Sequence, residues 1–570
     1  MRFIWFALLA CPVLAVAQQA GTVSSQPGQS QQSNAPVQPT RPEDLCSIEG
    51  QAVNAITGEP LKKAQITMNN LGGHTNAIPG AVTDATGRFV IENIDPGRYN
   101  VSADRNGFVR FQYGARGPGR PGTPLTLSPG QRTRDLVFRL VPQGVITGKI
   151  MDEDGEPVES AQIRALRYAF VRGKRQMTSP GFASTDDQGE YRVFGLEPGK
   201  YYLSATYHPH NGMGITQDQK PAAESNEGYA PTYYPGTNDP TAANAFQVSA
   251  GAVLGGVDIT LRKTRTVQIR GHVVNPAGEG LPQFVIVQLM PKEGGFLNAA
   301  TRGTVQRKDG AFQIRDVVPG SYFLTAQWQG ESSRRMLRQP IEVGNSNLDN
   351  VSLVLTPALS LKGQVRVDGT AEVNLTSINV SLLPQTPMPM AGAYARATDD
   401  GTFTLDSVNA DSYSVLVRGL PPGFYVKSIR MGDMDALESG LDLTRSGGGV
   451  LDILVNPNGG EVDGAVMDPQ AQFASGATVV LVPDVKHRDR SELFQRTATD
   501  SSGHFSLKGI SPGEYKLFAW EDVENGAYQD PEFLQPFENQ GESVTIREGS
   551  RENRQLKLIP AESTPKNAGS

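Results

Sequence analysis

One short string in the sequence has the spacing of a hydrolase nucleophile. Residues 509–513 read G-I-S-P-G, which matches the G-x-S-x-G pattern of a nucleophile elbow. In such an elbow the residue after the serine donates its backbone N–H to the oxyanion, and Pro512 has no N–H to donate. Ser511 also stands at a turn position that recurs along the chain. The equivalent positions are Asp95, Glu197 and Val318. We therefore expect no catalysis at Ser511.

Two further groups of residues are of types that bind metal ions. His208 and His210 have a His-x-His spacing that could hold a metal from one strand face, but no carboxylate is near them in sequence, which favours plain loop. A cluster of acids could supply oxygen ligands to calcium, yet it lacks the EF-hand spacing. Its members are Glu521, Asp522, Glu524, Asp530 and Glu532. We predict no metal and no cofactor, and a solvated acidic loop at this cluster.

Aromatic residues gather in three segments that depart from the regular pattern described below. Exposed rings in such loops can stack on sugar rings while polar neighbours bond the hydroxyls. The alternative is that the rings pack inward as loop anchors, so exposed coplanar rings would favour sugar binding and buried rings a spacer. The candidate ligand-binding residues are Tyr113, Tyr229, Tyr233, Tyr234, Trp520 and Tyr528. The first segment also carries Arg105, Arg110, Arg116 and Arg120.

The element that must position these residues is a hairpin that occurs five times. A turn with Gly launches a short strand at an aromatic residue, a second turn follows, and a tyrosine opens the return strand. The two aromatic positions lie ten residues apart in every copy, and Pro-Gly fills the second turn in all but the fourth. The pairs are Phe89/Tyr99, Tyr191/Tyr201, Phe312/Tyr322, Phe403/Tyr413 and Phe505/Tyr515. This repetition predicts one module used five times.

Each hairpin belongs to a longer repeating unit. A strand upstream contains a glycine at a fixed place, 37 to 41 residues before the hairpin glycine, and an alternating strand closes each unit. The upstream glycines are Gly50, Gly148, Gly271, Gly363 and Gly464. Short strands separated by turn signals predict an all-β fold, a tandem array of five β-sandwiches of approximately seven strands each. We number these modules 1 to 5, with predicted bounds 45–142, 143–263, 264–357, 358–457 and 458–560.

The N-terminal segment predicts export. Residues 1–17 join a basic start to an apolar run and an Ala-Val-Ala pattern, which indicates a secretory signal peptide cleaved after Ala17. A lipoprotein signal ending at Cys11 is the rival interpretation; on the first one, Cys46 is the single cysteine left. Residues 18–44 are rich in Gln, Ser and Pro and predict a disordered linker, and 561–570 a polar tail. We expect a periplasmic, surface or extracellular location.

Composition and charge argue against two classes of function, nucleic-acid binding and membrane embedding. The chain of 570 residues has 62 Gly and 40 Pro and a charged fraction of 19%, below the usual ~25%. A net charge of −7 argues against a nucleic-acid partner, which requires a basic field. No apolar run beyond the first 17 residues approaches the roughly 18 of a membrane helix. The pattern leaves the oligomeric state open.

The repeated pattern resembles a known family. The first-strand glycine, a D-x-x-G-x-P turn and the F-to-Y hairpin, best seen in modules 1, 2 and 5, resemble the carboxypeptidase regulatory-like module of bacterial tandem-repeat proteins. The resemblance implies a CnaB-type or transthyretin-like sandwich, related to carbohydrate-binding-like folds. A zinc peptidase would need a separate domain with an H-x-x-E motif, and none of the six histidines is followed three residues on by Glu.

The CnaB resemblance also raises intramolecular isopeptide bonds. Those need a buried first-strand lysine, an Asn or Asp in the last strand and a buried acid. Lys149 and Lys362 flank the recurring glycine but should face outward, so surface charge is the favoured interpretation. Acceptors are available at Asp135, Asp258, Asn350, Asp452 and Asn553.

These observations predict a non-enzymatic exported protein shaped as a semi-rigid rod of five modules. Its expected role is structural or adhesive, with an envelope or extracellular protein as partner. Polysaccharide binding through the aromatic loops is the alternative function.

Overall fold

The structure, a computed structural model, describes residues 41–71, 80–207, 227–275, 284–292, 301–305, 309–329, 334–355, 358–371, 373–385, 392–444 and 449–561. The predicted signal peptide, most of the predicted linker, the predicted polar tail after Ala561 and the His208/His210 pair lie outside these ranges. Among the described residues, no helix combines the length and the apolarity that crossing a membrane requires.

Module 1 consists of two sheets. One has the strand order β4-β1-β8, and the other has β3-β2-β5 with β6 and β7 also paired to β5. The strands are β1 (Cys46–Asn54), β2 (Gln65–Asn70), β3 (Gly80–Val82), β4 (Arg88–Ile94), β5 (Gly97–Asp104), β6 (Phe111–Gln112), β7 (Leu125–Leu127) and β8 (Arg132–Leu140), after a 3-10 turn at Pro42–Asp44.

Module 2 repeats this plan with a longer second strand pair. Its strands are β9 (Gly144–Met151), β10 (Gln162–Val171), β11 (Lys174–Ser184), β12 (Glu190–Leu196), β13 (Gly199–Thr206), β14 (Glu227–Tyr229), β15 (Thr232–Tyr233), β16 (Phe246–Val248), β17 (Val253–Leu254), β18 (Ile259–Thr260) and β19 (Lys263–Arg265), with a 3-10 turn at Pro240–Ala242. Strand β19 pairs with β14 and spans the predicted boundary between modules 2 and 3.

Module 3 joins its strands into one seven-stranded sheet, because β22 pairs with both β21 and β23. Its strands are β20 (Val267–Val274), β21 (Phe284–Pro291), β22 (Thr301–Val305), β23 (Ala311–Val317), β24 (Gly320–Gln329), β25 (Arg334–Val343) and β26 (Leu348–Val354).

Module 4 widens one sheet with an extra strand pair, so that its order is β30-β27-β35-β32-β33. Its strands are β27 (Leu359–Val367), β28 (Asn379–Pro384), β29 (Tyr394–Arg396), β30 (Thr402–Val408), β31 (Ser412–Arg418), β32 (Tyr425–Met431), β33 (Met434–Asp435), β34 (Leu441–Asp442) and β35 (Val450–Asn456), with a 3-10 turn at Leu375–Ser377.

Module 5 adds short helices to the same sandwich. Its strands are β36 (Gly460–Met467), β37 (Thr478–Pro483), β38 (Gln495–Ala498), β39 (His504–Ile510), β40 (Gly513–Trp520), β41 (Glu542–Ile546) and β42 (Arg551–Ile559). The helix α1 covers Pro531–Leu534, and 3-10 turns cover Val485–His487, Ser491–Leu493, Ala527–Gln529 and Gln535–Phe537.

The five modules share one topology, which confirms the tandem β-sandwich prediction. In each, the first strand pairs antiparallel with the hairpin strand and parallel with the closing strand, as β1 does with β4 and β8. Five buried apolar clusters each draw their residues from within one predicted range. The numerical bounds of the modules stay a prediction.

The recurring first-strand glycine has a steric cause. In every module it lies directly across from the first hairpin aromatic, as Gly271 does from Phe312. A Cβ on Gly271 would overlap the carbonyl of Val351 in the parallel closing strand and come 2.8 Å from the Phe312 ring. The glycine therefore leaves room for an aromatic ring and a close backbone approach at once.

The recurring tyrosine closes its own hairpin turn. In all five modules its hydroxyl donates a hydrogen bond to the carbonyl four residues earlier, at 2.7 to 3.0 Å. Four residues after the first aromatic, the backbone is left-handed in every module and marks a bulge or irregularity in the first-strand pairing. These left-handed residues are Asn93, Gly195, Asp316, Ser407 and Gly509.

The array is closed and is not the predicted rod. Arg116 of module 1 forms an ion pair with Glu521 of module 5, and Phe170 of module 2 meets Phe533 of module 5 edge to face. Arg172 of module 2 also donates to the carbonyl of Pro384 in module 4 at 3.2 Å. The rod prediction was wrong because loops that looked solvated in the sequence bind each other.

Candidate functional site

The candidate aromatic residues of modules 1 and 2 lie against their own cores. Tyr113 packs on Phe138 of the module 1 core, with ring centroids 6.0 Å apart. Tyr229 is buried, and its hydroxyl donates to Glu153 at 3.0 Å. Burial raises the pKa of Tyr229 to about 12, and the hydrogen bond to Glu153 adds to this effect.

Tyr233 is also buried, and Tyr234 stacks edge to face on Phe246 at 5.4 Å. Of the four tyrosines of modules 1 and 2, two are therefore buried, and the other two, Tyr113 and Tyr234, are half-buried against an aromatic neighbour. This placement favours the loop-anchor alternative for these residues.

The two candidate residues of module 5 belong to a second core on the outer face of its sheet. We call it the outer core; it consists of Val480, Val482, Phe518, Trp520, Val523, Ala527, Tyr528, Leu534, Phe537 and Ile559. Trp520 is fully buried and stacks on Phe518 at 5.1 Å. Its indole Nε1 has no hydrogen-bond acceptor among the described residues. Trp520 and Tyr528 are thus packing residues, which no sugar ring can reach in this conformation.

A signal for the outer core is present in the sequence. Strand β37 is buried at all six positions from Thr478 to Pro483, because one face meets the inner core and the other the outer core. Strands buried on both faces are continuous apolar runs, and T-V-V-L-V-P is such a run, whereas β2 (Q-I-T-M-N-N) and β28 (N-V-S-L-L-P) alternate. This run indicates a covered outer face, which was not predicted from the sequence.

Ion pairs attach the loop that covers this face, residues 521–541, to the rest of module 5. Glu538 lies 2.5 Å from Arg488 and 3.0 Å from Lys516. Burial alone would raise the pKa of Glu538, but the hydrogen bonds from the two cations outweigh burial and lower it. The loop therefore carries a carboxylate whose ionised form is stabilised in place.

Two arginines in the aromatic loop of module 1 form ion pairs with two acids in the aromatic loop of module 5. Arg116 Nη1 lies 2.7 Å from Glu521 Oε1. Arg120 contacts Asp522 through two atoms, with Nε 2.7 Å from Oδ1 and Nη2 3.3 Å from Oδ2. In the sequence, the two arginines belonged to a basic loop and the two acids to a candidate calcium site. In the structure they form one ionic contact between residues about 400 positions apart.

Module 2 reaches the same region with the tip of its long β10–β11 hairpin. The rings of Phe170 and Phe533 lie 6.2 Å apart, and Phe170 packs against the outer core. Gly173 has φ +68°, and a Cβ on it would come 2.7 Å from the carbonyl oxygen of Gln529. We call the contacts of Arg116 and Arg120 with Glu521 and Asp522, and of residues 170–173 with residues 526–533, the closure contact.

The serine of the G-x-S-x-G string lies at the junction of modules 4 and 5. Ser511 lines a cavity of about 300 Å³ together with Phe424 and Leu493, and its backbone carbonyl accepts the hydroxyl of Tyr515. Arg490, also in the cavity wall, is bound to Glu438 and Glu492. Ser511 serves the hairpin turn, as its repeat position predicts.

The lysines that border the recurring glycines are on the surface. Lys149 is half exposed and lies 3.0 Å from Glu190, while its backbone N–H donates to Asp258 at 2.8 Å. Lys362 is exposed as well. Both lysine side chains therefore lie at the surface, and the Lys149 ammonium pairs there with Glu190 of the hairpin strand. Within the described ranges, no three His, Cys, Asp or Glu side chains are placed to hold a metal ion.

Aromatic rings that do face solvent lie elsewhere. Phe182 on β11 and Tyr394 on β29 are 76% and 79% exposed, and Phe194 on β12 is 63% exposed. Phe182 and Tyr394 occupy equivalent places, three residues before Thr185 and Ala397, each of which donates its N–H to the carbonyl of the residue just before the second strand of its module, Ala161 or Ile378. These residues were not predicted as candidates, because they stand in regular strands rather than in the loops.

The comparisons with known proteins concern the fold. The family model described as carboxypeptidase regulatory-like domain matches residues 47–141, which confirms the predicted resemblance for module 1. No curated protein matches the chain.

Several solved structures resemble the chain. The minor pilin GBS52 of Streptococcus agalactiae is 12% identical, with 39% of this chain and 97% of that chain covered at a TM-score of 0.22. Shaft pilin SpaA of Lactobacillus rhamnosus GG is 12% identical over 39% and 99% at 0.17. Two B repeat units of the collagen-binding protein of Staphylococcus aureus are 12% identical over 72% and 99% at 0.13.

Proposed function

We propose that this chain is an exported, non-catalytic structural or adhesive protein of the cell envelope, and that its partner there is a protein. The observation that carries the proposal is the use of its aromatic loop residues. Trp520 and Tyr528 fill the outer core of module 5, and Tyr229 and Tyr233 are buried in module 2. These aromatic side chains stabilise the packing of their own modules, which favours a scaffold over a sugar-binding protein.

Export is the first part of the proposal. It rests on the apolar segment of residues 1–17 and the Ala-Val-Ala pattern that ends it. We expect the chain, expressed with a C-terminal tag in a Gram-negative host, to be recovered outside the cytoplasm with Gln18 as its first residue. Recovery of an uncleaved cytoplasmic chain would contradict export, and a lipid-modified Cys11 would establish the rival signal.

Partner binding is the second part. Purified residues 18–570 are titrated onto envelope fragments of the bacterium that carries the gene, after protease treatment of one sample and periodate oxidation of another. We expect saturable binding that protease abolishes and periodate leaves unchanged, because a protein partner is digested while its glycans are not needed. Failure to bind any untreated envelope fraction would overturn the adhesive role.

Polysaccharide binding remains a second candidate because of the exposed rings of Phe182, Phe194 and Tyr394. Rings with free faces can stack on sugars. In the same titration this function predicts sensitivity to periodate and not to protease. It also predicts that Phe182→Ser or Tyr394→Ser weakens binding, whereas Val485→Ser, at an exposed residue of module 5, does not.

A further inference from the structure

The closure contact brings module 5 together with modules 1 and 2, from which it is far apart in sequence. Module 1 contributes Arg116 and Arg120, module 2 the tip of the β10–β11 hairpin, and module 5 the segment 521–533. The contact is independent of the covalent junction between modules 4 and 5. That junction has its own contacts, including hydrogen bonds from buried Asn456 to Asp368 and Glu548.

The chemistry of the closure contact is mainly ionic and open to solvent. The side chains of Arg116 and Glu521 are 42% and 32% exposed, and those of Arg120 and Asp522 are 27% and 39% exposed. Ion pairs at such exposure gain little in water and weaken as salt is added. The apolar part is supplied by Phe170, which meets Phe533 edge to face and packs against the outer core.

Charge is complementary across the contact. The module 1 side presents two arginines from a glycine-rich loop, and the module 5 side presents Glu521 and Asp522 with three further acids in the following residues. These additional acids are Glu524, Asp530 and Glu532. When salt screens this attraction, the remaining contacts are those of Phe170 with Phe533 and the outer core, and of residue 173 with Gln529.

A weak contact suffices because the two surfaces are on one chain. Tethering replaces a bimolecular encounter by an intramolecular one, so the effective concentration of module 5 near modules 1 and 2 is high. Interfaces between domains of one chain resemble transient protein–protein interfaces, for which relative motion is the default. The free energy of closure therefore needs to be only modestly favourable, and a change in ionic strength is enough to make it unfavourable.

We propose that the closure contact is a reversible latch, which holds module 5 against modules 1 and 2 at low ionic strength and releases it at high ionic strength to give an extended array. Release uncovers the Phe170 and Phe533 rings and the acidic segment 521–532 together. The extended state is the rod that the repeat pattern predicts, and the closed state is the one in this structure.

The test uses residues 18–570 in small-angle X-ray scattering from about 20 mM to about 1 M salt, where the Debye length falls to about 3 Å. We expect the radius of gyration to increase with salt. The double variant Arg116→Glu, Arg120→Glu should be extended already at low salt. Adding Glu521→Arg and Asp522→Arg should restore the closed dimensions, because the pairs are re-formed with their charges exchanged.

A matched control separates the latch from general charge effects. Arg134 pairs with Glu49 inside module 1 at 2.9 Å, so Arg134→Glu removes an ion pair without touching the closure contact. We expect this variant to match the parent chain at every salt concentration. Extension by Arg134→Glu equal to that of the double variant would overturn the proposal.

A crosslink measures the contact directly. In the variant Arg120→Cys, Asp522→Cys, a short bismaleimide should join the two thiols at low salt, and the crosslinked fraction should fall several-fold at high salt. The native Cys46 is buried and leaves this reaction undisturbed. Crosslinking that is equally efficient at all salt concentrations would mean a permanent contact, and its absence at low salt an open array; either result overturns the latch.

Discussion

At the scale of single residues, the recurring glycine and its aromatic partner define each module. Gly271 lies between Phe312 on one neighbouring strand and Val351 on the other, and the same arrangement holds in all five modules. A side chain at this place would push apart two strands that both pair with the first strand. The glycine is therefore required by packing on both sides and not by its backbone angles.

Gly271→Ala should destabilise module 3 by about 1–3 kcal/mol, since the added methyl overlaps the Val351 carbonyl. The readout is hydrogen exchange of β20 and β26, because the five modules do not unfold as one two-state unit. Gly344→Ala is the control, as a Cβ there meets no atom within 4 Å. Equal exchange in the two variants would contradict the steric explanation.

Tyr515→Phe should destabilise the module 5 hairpin by about 1 kcal/mol, because the partly buried carbonyl of Ser511 loses the hydroxyl that donates to it at 2.9 Å. Faster amide exchange in β39 and β40 would measure this loss. Tyr394→Phe removes a hydroxyl from a ring that is 79% exposed and should leave exchange unchanged. A neutral Tyr515→Phe would show that the turn does not depend on this bond.

The sequence predicted these positions but not their contacts. Ten-residue spacing identified the aromatic pairs, and the glycine was found by its fixed distance from them. The left-handed bulge was not predicted. Glycine in a strand would indicate a positive φ, whereas Asn93, Asp316 and Ser407 adopt one here but are also common at ordinary backbone angles. Repetition locates a residue in the module; the atoms that surround it come from strands far away in sequence.

At the scale of elements, the hairpin turns depend on carboxylates. Asp84 accepts the backbone N–H groups of Thr86 and Arg88, and Asp400 accepts Thr402 N–H together with two threonine hydroxyls. The hydrogen bond from the Thr398 side chain, with the bonds from Thr402, lowers the pKa of Asp400 to about 2. The ionised carboxylate is thus the form that the folded turn prefers.

Asp400→Asn tests this dependence through pH. Because the folded pKa is depressed below the ordinary value of 3.8, the stabilisation is full above about pH 4 and is lost as pH falls through about 2. We expect the parent chain to melt at a higher temperature than Asp400→Asn at pH 5 and the difference to vanish near pH 2. A difference that is independent of pH would show that charge plays no part.

The outer core of module 5 gives a second prediction at this scale. Trp520→Ala removes the largest fully buried side chain and should cost about 3–5 kcal/mol in module 5. Trp520→Phe keeps a ring and removes an indole N–H that has no acceptor among the described residues, so it should cost much less. Differential scanning calorimetry distinguishes the two variants; similar losses would contradict the packing role.

The strands could be predicted from the sequence, but the packing of segment 521–541 over the outer face of module 5 could not. Alternation and turn residues identify strands because both are local properties of the chain. Segment 521–541 has no comparable period, and its helix α1 is only four residues long. Its aromatic residues therefore looked like an open loop, although Trp520, Phe533 and Phe537 pack on one another.

At the scale of the whole molecule, the repeat pattern describes the modules and not their arrangement. A rod follows from five similar units only if each one contacts its sequence neighbours alone. Here Arg116 binds Glu521 and Gly173 touches Gln529, contacts between residues that no repeat relates. These contacts could not be predicted, because loops that differ between modules have no periodic pattern. The only sequence feature that linked the module 1 loop to the module 5 loop was their complementary charge.

Gly173→Ala tests the module 2 part of this arrangement. The variant should increase hydrogen exchange at residues 526–534, because the new Cβ meets the carbonyl of Gln529 at 2.7 Å. Gly155→Ala is matched to it, since it also has a positive φ and costs about 1–2 kcal/mol of local strain but meets no atom within 4 Å. An equal increase in both variants would show that the hairpin tip does not contact module 5.

The parallel pairing of first and closing strands determines how the molecule responds to tension. In each module the chain enters and leaves through neighbouring strands that run in the same direction, such as β1 and β8. Pulling the chain ends apart therefore slides these strands along each other and loads all their hydrogen bonds at once, rather than opening them one by one. The closure contact has no such shear geometry. Under a rising force it should break first and release length, after which the five sandwiches resist as mechanical clamps in series.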